Sequence, residues 1–177
     1  MDKRPWVAFF SQTGAEIADL SERVGRWPDL IVTNKRPDHL RTIDPRVKDF
    51  YGCTELPNKP TIDDYKSVLE DNALVTLHGW LRIMPKVICE EYTIYNGHPG
   101  LITKYPELKG KDPQLRAFEG KYPVAGAVLH KVVPEVDEGK IIAEEYFNAS
   151  QLDLDELFRI LRDRSIYMWT NFLEKVL

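Results

Sequence analysis

Two polar residues that could do chemistry, Asn96 and His98, close a short apolar run and are followed by Pro99 and Gly100. Successive side chains of a strand point to opposite faces, so we expect these two side chains to share one face, with Gly97 leaving the other face open. An amide and an imidazole that converge on one point can each donate a hydrogen bond to a developing oxyanion. An Asn-x-His-Pro sequence is by itself more often a satisfied turn than a catalytic pair.

An acidic turn further along the chain strengthens the catalytic interpretation of Asn96 and His98. Val136-Asp137-Glu138-Gly139 precedes another apolar run, and Asp137 follows His98 by 39 residues (137 − 98). That separation is enough for one crossover and a hairpin, so the Asp137 carboxylate can return to face the imidazole. A carboxylate in that place would orient the ring and favour its protonated form.

The elements that must position these residues alternate between apolar runs and helical patterns, which predicts an α/β fold. We expect a mixed, mostly parallel, Rossmann-like sheet with helices on both faces and an antiparallel edge. The strands are predicted at 6–10, 30–33, near 50–53, and at 73–77, 94–98, 124–133 and 141–147. The helices are predicted to end near 24, 70, 91, 119 and 176. In such a sheet ligands bind outside the carboxyl ends of the strands.

Three of these helices carry start signals. Thr13 and Glu16 have the spacing of a capping box, and so do Thr61 and Asp64, and Asp153 and Glu156. The apolar stripe of the last helix predicts core packing. Its members are Leu154, Leu157, Phe158, Leu161, Met168, Trp169, Phe172 and Val176.

Composition limits the class of protein. The chain has 177 residues, 24 Lys and Arg against 28 Asp and Glu, and a formal charge of −4. This predicts a single domain over 1–177 and disfavours nucleic acid as a partner. No run is long enough to span a bilayer, and the first apolar run is too short for a signal peptide. We therefore expect a cytoplasmic protein with no membrane partner, and free thiols at Cys53 and Cys89. The four histidines, His39 among them, are too scattered for a zinc site, so no metal is expected.

Six stretches in order resemble the folate-dependent formyltransferases, in particular the single-domain glycinamide ribonucleotide transformylase type. They are Leu77-His-Gly-Trp-Leu-Arg-Ile-Met84, Tyr95-Asn-Gly-His-Pro-Gly-Leu101, Lys104-Tyr-Pro106, Ala117-Phe-Glu-Gly120, Gly126-Ala-Val-Leu-His130 and Val136-Asp-Glu-Gly-Lys-Ile-Ile142. The resemblance covers essentially the whole chain and is densest between 74 and 147. It implies the fold of that family and one catalytic domain.

The resemblance also implies the reaction, in which a formyl group passes from 10-formyltetrahydrofolate to an amine. By position, Asn96, His98 and Asp137 become the catalytic triad: Asn96 and protonated His98 stabilise the oxyanion, and Asp137 steers the proton. The folate co-substrate is expected against two segments. Its predicted contacts are Leu81, Arg82, Ile83 and Met84 in the first segment, and Val133, Val136 and Gly139 in the second. A plain surface charge is the alternative for Arg82.

The acceptor amine is where the chain departs from the family. The transformylases hold a substrate phosphate at a Gly-Ser-Asn turn, and this chain has Gly14-Ala15-Glu16 there. Whether Glu16 faces the ligand or occupies the helix donors, a phosphate is disfavoured at that spot. His-Pro-Gly at 98–100 resembles formyltransferases that act on nucleotide-linked amino sugars. The predicted acceptor contacts are Gln12, Thr13, Gly14, Glu16, His78 and Gly100.

Several alternatives stay open at this stage. His78 is either a satisfied buried histidine or a substrate contact. The cations Lys104, Lys109, Lys111 and Arg116 form either a solvated mixed face or a docking patch for an anionic acceptor. The acceptor is a ribonucleotide, an amino sugar or another small amine, and a formyl-folate hydrolase is the less favoured reading. Formylation of methionyl-tRNA is disfavoured because the chain is acidic and lacks a basic RNA-binding domain. A homodimer is left open.

Overall fold

The computed structural model describes residues 3–34, 42–50 and 52–177, without the side chain of Phe50. One seven-stranded sheet organises them. Its strands are β1 (Trp6–Phe10), β2 (Leu30–Thr33), β3 (Thr54–Glu55), β4 (Leu74–Leu77), β5 (Thr93–His98), β6 (Val124–Lys131) and β7 (Ile141–Asn148). The helices are α1 (Ala15–Val24), α2 (Pro45–Phe50), α3 (Ile62–Val68), α4 (Lys86–Glu91), α5 (Pro113–Glu119) and α6 (Leu154–Val176), with a 3₁₀ turn at Pro106–Leu108.

The strand order is β3-β2-β1-β4-β5-β6-β7. The first five strands pair in parallel, and β6 and β7 add the antiparallel edge. The predicted mixed, mostly parallel α/β fold is therefore confirmed. The order reverses between β1 and β4, which creates the crevice where ligands bind in open α/β sheets. That one domain spans 1–177 stays a prediction.

Strand β1 shows why the sheet is covered on both faces, since all five of its residues are buried. Trp6, Ala8 and Phe10 join a core cluster with residues of α1 and α6, whereas Val7 and Phe9 join a second cluster with residues of α3 and α4. The alternation of a strand thus divides one apolar run between two cores.

Three expectations about local structure are wrong. Thr13 and Glu16 form no capping box: the N-cap of α1 is Gly14 at φ 73°, with no side-chain cap, and Thr13 Oγ1 accepts from Ala15 N at 3.2 Å. The strand expected near 50–53 is displaced, because 45–50 form α2 and the short strand is Thr54–Glu55. Tyr51 lies outside the described residues.

The third error concerns the last helix. Asp153 and Glu156 form the predicted capping box of α6, and most of its apolar stripe is buried. Phe158 is an exception, with 44% of its surface exposed. Among the residues with described positions, no helix has the length and apolar character needed to cross a membrane.

Candidate active site

Asn96 and His98 lie at the carboxyl end of β5, which is one strand removed from the reversal of strand order between β1 and β4. The two share one face, as expected. The opposite face at Gly97 is not open, because the Trp169 indole of α6 fills it: a Cβ on Gly97 would lie 2.6 Å from Trp169 Nε1. Glycine at this position therefore lets α6 pack directly on the strand that carries the two polar residues.

Asp137 does return to His98. Its Oδ2 atom lies 3.5 Å from His98 Nδ1, and both side chains are buried. The Gly110 N–H donates to the same oxygen at 2.9 Å. The turn that contains Asp137, the loop that contains Gly110 and the end of β5 thus meet at the Asp137 carboxylate.

His130 is a member of this cluster that the sequence interpretation did not select. Its Nε2 lies 3.4 Å from Asp137 Oδ1 and 3.4 Å from Asn96 Nδ2, and its Nδ1 faces the Lys131 carbonyl at 3.0 Å. Asn96 and His130 are directly paired across the antiparallel strands β5 and β6. The sequence contained a signal that could have identified His130. An antiparallel partner of β5 must place one residue opposite Asn96, and His130 lies within one of the six stretches that resemble the family.

The distances among these four side chains are longer than ordinary hydrogen bonds. Three contacts measure 3.4–3.5 Å, against about 2.9 Å for a typical N–H···O bond. Such spacing leaves the donors able to turn toward an added polar atom. Catalytic hydrogen bonds often have this loose geometry before substrate binds.

The protonation of His98 departs from expectation. Burial lowers its pKa below the ordinary 6.5, while the charge of Asp137 and the Leu108 carbonyl act in the opposite direction and do not overcome it. For Asp137, burial works to raise the pKa, but His130, the Gly110 N–H and the His98 charge outweigh it and hold the pKa below 3.8. The Asp137 charge therefore acts toward the imidazolium, as expected, but burial outweighs its effect on the His98 pKa.

Leu108 fixes the orientation of the His98 ring. Its carbonyl lies 2.8 Å from His98 Nε2, which must carry a hydrogen to donate there, and this assigns Nδ1 to the Asp137 side. Gly100 is also part of this packing, since a Cβ on it would lie 3.0 Å from His98 Nε2 and 2.7 Å from Pro113 Cβ. The predicted acceptor residue Gly100 thus contacts the ring of His98 and is buried.

Arg116 holds the loop that carries Leu108. Its guanidinium donates to four backbone carbonyls, those of Glu107, Leu108, Lys109 and Lys111, at 2.6–3.1 Å. Lys109 pairs with Glu138 at 2.7 Å. Arg116 and Lys109 are therefore engaged in loop structure, which favours the solvated mixed face over the docking patch for these two cations.

The turn that presents Asp137 depends on two unusual backbone positions. Asp137 itself has φ 55°, in the left-handed region. Gly139 is buried, and a Cβ there would overlap the Lys131 carbonyl oxygen. Position 139, predicted as a folate contact, thus requires glycine because of the structure of the turn.

The other predicted folate residues divide by exposure. Leu81, Ile83 and Val136 are exposed apolar side chains, which is what a site for a flat apolar ligand presents. Met84 is instead buried in the core cluster that contains Phe9 and Ile88. Val133 is half-buried. Arg82 donates to the backbone carbonyl and side-chain oxygen of Asn58 at 2.5 and 2.7 Å.

A cavity of about 640 Å³ adjoins the β5 end, and we call it the acceptor cavity. Five of the six predicted acceptor residues line it, with Gly100 absent. The lining consists of Gln12, Thr13, Gly14, Ala15, Glu16, His78, Gly79, Gly97, Pro99, Gln114, Phe158, Arg159, Leu161, Arg162 and Ser165. Because Gly97 and Pro99 flank His98, the cavity extends from the turn before α1 to the backbone on either side of the candidate catalytic histidine.

Glu16 and His78 are in hydrogen-bond contact in this cavity. His78 Nδ1 lies 2.6 Å from Glu16 Oε1, and the His78 side chain is only 1% exposed. His78 Nε2 contacts Thr76 Oγ1 at 2.9 Å. Both ring nitrogens are thus satisfied within the protein, which favours the interpretation of His78 as a satisfied buried histidine.

Within 3–34, 42–50 and 52–177, no three His, Cys, Asp or Glu side chains group as ion ligands. His39, one of the four histidines, lies outside those ranges.

Comparison with known proteins places this geometry in a family. Residues 57–163, more than half of the chain, match the family model described as formyl transferase. A phosphoribosylglycinamide formyltransferase of Dictyostelium discoideum is 34% identical over 89 residues, which cover 46% of this chain and 41% of that protein. A methionyl-tRNA formyltransferase of Thermotoga neapolitana is 29% identical over 119 residues, which cover 67% of this chain and 37% of that protein.

The fold comparison agrees over the whole chain. The crystal structure of a phosphoribosylglycinamide formyltransferase from Campylobacter jejuni superposes with a TM-score of 0.83 at 22% identity, covering 99% of this chain and 98% of that one. At this identity the likeness concerns the fold. The chain belongs to the formyl transferase family, and it spans about two fifths of the length of the curated relatives it matches.

Proposed function

We propose that this chain transfers a formyl group from 10-formyltetrahydrofolate to a primary amine of a small-molecule acceptor, with Asn96, His98 and Asp137 as the catalytic residues. The observation that carries the proposal is the 3.5 Å approach of Asp137 to His98, at the strand end that also lines the acceptor cavity. The family match supports formyl transfer as the reaction class.

The residues of the cluster have distinct roles in this proposal. The amine nitrogen attacks the formyl carbon, negative charge collects on the formyl oxygen, and the bond from carbon to the folate nitrogen then breaks. Asn96 Nδ2 and His98 Nδ1 lie on one face of β5 and donate to that oxygen. Since His98 Nε2–H is committed to the Leu108 carbonyl, donation from Nδ1 requires the imidazolium, which the adjacent developing charge favours.

Asp137 and His130 complete the arrangement. The Asp137 carboxylate offsets the charge of the His98 imidazolium and accepts the proton that the amine nitrogen loses, for delivery to the leaving folate nitrogen. His130 contacts both Asn96 and Asp137 and so fixes their separation. We assign it a positioning role.

The residues present also fit the folate co-substrate. The exposed apolar side chains Leu81, Ile83 and Val136 offer cover for a flat ring system, and Val132, just before the turn, packs on the core cluster that includes Met84. When bound, the folate supplies the formyl group; the chain supplies apolar contacts and backbone polar groups around it.

The test is transfer from a 10-formyl folate analogue, with a panel of primary amines and a control without amine. We expect release of the deformylated folate only when an amine is present, together with one formylated amine per folate released. Release at the same rate without amine would instead identify a hydrolase. No release under any condition would refute the proposed function.

A further inference from the structure

In the part of the chain that the structure describes, the end of β5 pairs with a neighbouring strand on one side only. The ladder between β4 and β5 ends at the pair of Leu77 with Asn96. Beyond this pair, Gly97 and His98 continue the pairing with β6. Glycine has more backbone freedom than any other residue, and here it lies between the two proposed oxyanion donors. A small rotation at Gly97 would therefore change how Asn96 and His98 converge on one oxygen atom.

The indole of Trp169 lies against this glycine from the α6 side. A Cβ on Gly97 would lie 2.6 Å from Trp169 Nε1, 3.3 Å from Cε2 and 3.5 Å from Cζ2. Trp169 is itself fully buried, in the core cluster that also contains residues of α1 and β1. A larger residue at 97 would have to displace the ring, and a smaller residue at 169 would leave the end of β5 without this contact.

His78 packs on the same indole. The two ring centroids are 4.7 Å apart, at an interplanar angle of 43°. His78 is fixed in turn, since Nδ1 contacts Glu16 Oε1 at 2.6 Å and Nε2 contacts Thr76 Oγ1 at 2.9 Å. The Thr76 hydroxyl also accepts from Trp6 Nε1 at 2.8 Å. A buried line of hydrogen-bonded side chains thus runs from β1 to α1 and holds the ring that packs on Trp169.

Trp169 gains no hydrogen bond from its position. Its Nε1 atom is buried and has no hydrogen-bond partner among the described residues. An unpaired buried N–H lowers stability, because the hydrogen bond to water is lost and not replaced. Native structures contain few such groups, and each one calls for a physical explanation. The contact of the ring with Gly97 offers one, since it depends on the shape of the indole and not on its N–H.

We propose that Trp169 is a positioning residue for formyl transfer, whose indole restrains Gly97 and thereby fixes the relative placement of Asn96 and His98. The inference rests on the proposed function. Trp169 belongs to the apolar stripe of α6, which by itself predicts core packing only, and it is absent from the lining of the acceptor cavity. Because it acts through the backbone between two catalytic groups, its loss should affect kcat more than KM.

Two single variants disturb the contact in opposite ways. Trp169→Leu removes the ring edge that lies against Gly97, and Gly97→Ala adds a Cβ where the ring now lies. The assay is transfer from the 10-formyl folate analogue to the best amine of the panel, with kcat referred to the folded fraction. For each variant we expect kcat to fall by about 10-fold or more, and KM for either substrate to change by less than about 3-fold.

The double variant Gly97→Ala/Trp169→Leu gives a readout that a loss of stability alone does not produce. The smaller side chain at 169 leaves room for the added methyl group, which replaces part of the lost contact. We expect the double variant to have a kcat about 3-fold or more above that of either single variant. Independent positions would instead show the product of the two losses.

A second readout reports on the position of His98 without any substrate. The imidazole resonances of His98 depend on its placement beside Asp137, from which it is separated by 3.5 Å. We expect these resonances to shift in Trp169→Leu and to return toward those of the unmodified chain in the double variant. The measurement is an NMR spectrum of the imidazole groups at one pH.

Leu173→Ala is the matched control. Leu173 lies one turn after Trp169 on α6, is equally buried and belongs to the same core cluster. The change should lower the melting temperature, because it leaves a cavity in the core. It should leave the kcat of the folded fraction and the His98 resonances unchanged.

The outcomes separate this inference from the proposed function. If the unmodified chain is active, a full kcat or unchanged His98 resonances in Trp169→Leu overturn the inference alone. A double variant slower than both single variants also overturns it, and so does an equal fall of kcat in Leu173→Ala, since general core packing would then be the cause. If the unmodified chain formylates no amine, the proposed function is wrong and the inference falls with it.

Discussion

The His98 Nδ1 atom lies 3.5 Å from Asp137 Oδ2, although 39 residues separate the two in the chain (137 − 98). The antiparallel pairing of β5 with β6 produces this approach, because it returns the chain along the strand that ends in His98. Asp137 lies within the connection that joins β6 to β7. The proposed chemistry depends on this one proximity, and the four predictions below test its parts.

The first prediction concerns the two proposed oxyanion donors. Asn96→Ala and His98→Ala should each lower kcat for formyl transfer by about 10²- to 10³-fold, as the loss of one preorganised donor does in other enzymes. The melting temperature should change little. Asn171→Ala, a change of the same kind at an exposed position on α6, is the control and should retain full activity. Near-normal transfer by either active-site variant would remove the mechanism.

The second prediction concerns the protonation of His98. Its pKa should lie below 6.5 in the free protein, because burial outweighs the charge of Asp137. Asp137→Asn should lower that pKa further, since it removes the nearby negative charge that favours the imidazolium. The measurement is an NMR titration of the imidazole resonances.

A neighbouring carboxylate supplies the control for this titration. Glu138→Gln changes the next residue, which pairs with Lys109 on the surface, and should leave the His98 midpoint in place. A midpoint above 6.5 in the unmodified chain would show that the Asp137 charge, and not burial, dominates.

The sequence predicts the sheet well because its signals are local and strong. Runs such as Trp6–Phe10 and Leu30–Thr33 are apolar enough to be strands only when covered on both faces, and both appear at the predicted bounds. Thr61 and Asp64 form the predicted capping box, with a hydrogen bond in each direction between side chain and backbone. Local pattern and tertiary structure agree at these positions.

Glu16 shows where local reading fails. Its spacing from Thr13 is that of a capping box, but His78 and Ser165 offer partners that only the folded sheet brings within reach. The expectation of an open face at Gly97 is wrong for the same reason, since the Trp169 indole that fills this face comes from a helix residue 72 positions later (169 − 97). A rule based on sequence spacing cannot take such long-range contacts into account.

The third prediction concerns Gly139. A Cβ at this position would overlap the Lys131 carbonyl oxygen, so Gly139→Ala must displace the turn that carries Asp137. We expect a loss of unfolding free energy of about 1–3 kcal/mol and a large fall in kcat. The measurements are urea denaturation and formyl-transfer kinetics.

Gly25→Ala is the comparison for Gly139→Ala. Gly25 has φ 71° and no atom within 4 Å of an added Cβ, so this variant incurs only backbone strain of about 1–2 kcal/mol and should keep its kcat. Full activity in Gly139→Ala would mean that the turn can move without separating Asp137 from His98.

The fourth prediction concerns Arg116, which contacts the loop that holds His98, the proposed catalytic histidine. Its guanidinium donates to four carbonyls, including that of Leu108, which in turn accepts from His98 Nε2. Arg116→Lys keeps the charge but loses the planar set of donors. We expect kcat to fall by about 10-fold with KM little changed, because a misplaced catalytic group costs roughly this factor or more. Faster hydrogen exchange at the Gly110 amide, which donates to Asp137, should accompany the loss of kcat.

Lys111→Ala is the control for Arg116→Lys. It removes an exposed cation of the same loop and should alter neither kcat nor the exchange rate of the Gly110 amide. A slower Arg116→Lys enzyme with unchanged Gly110 exchange would contradict a role through loop position.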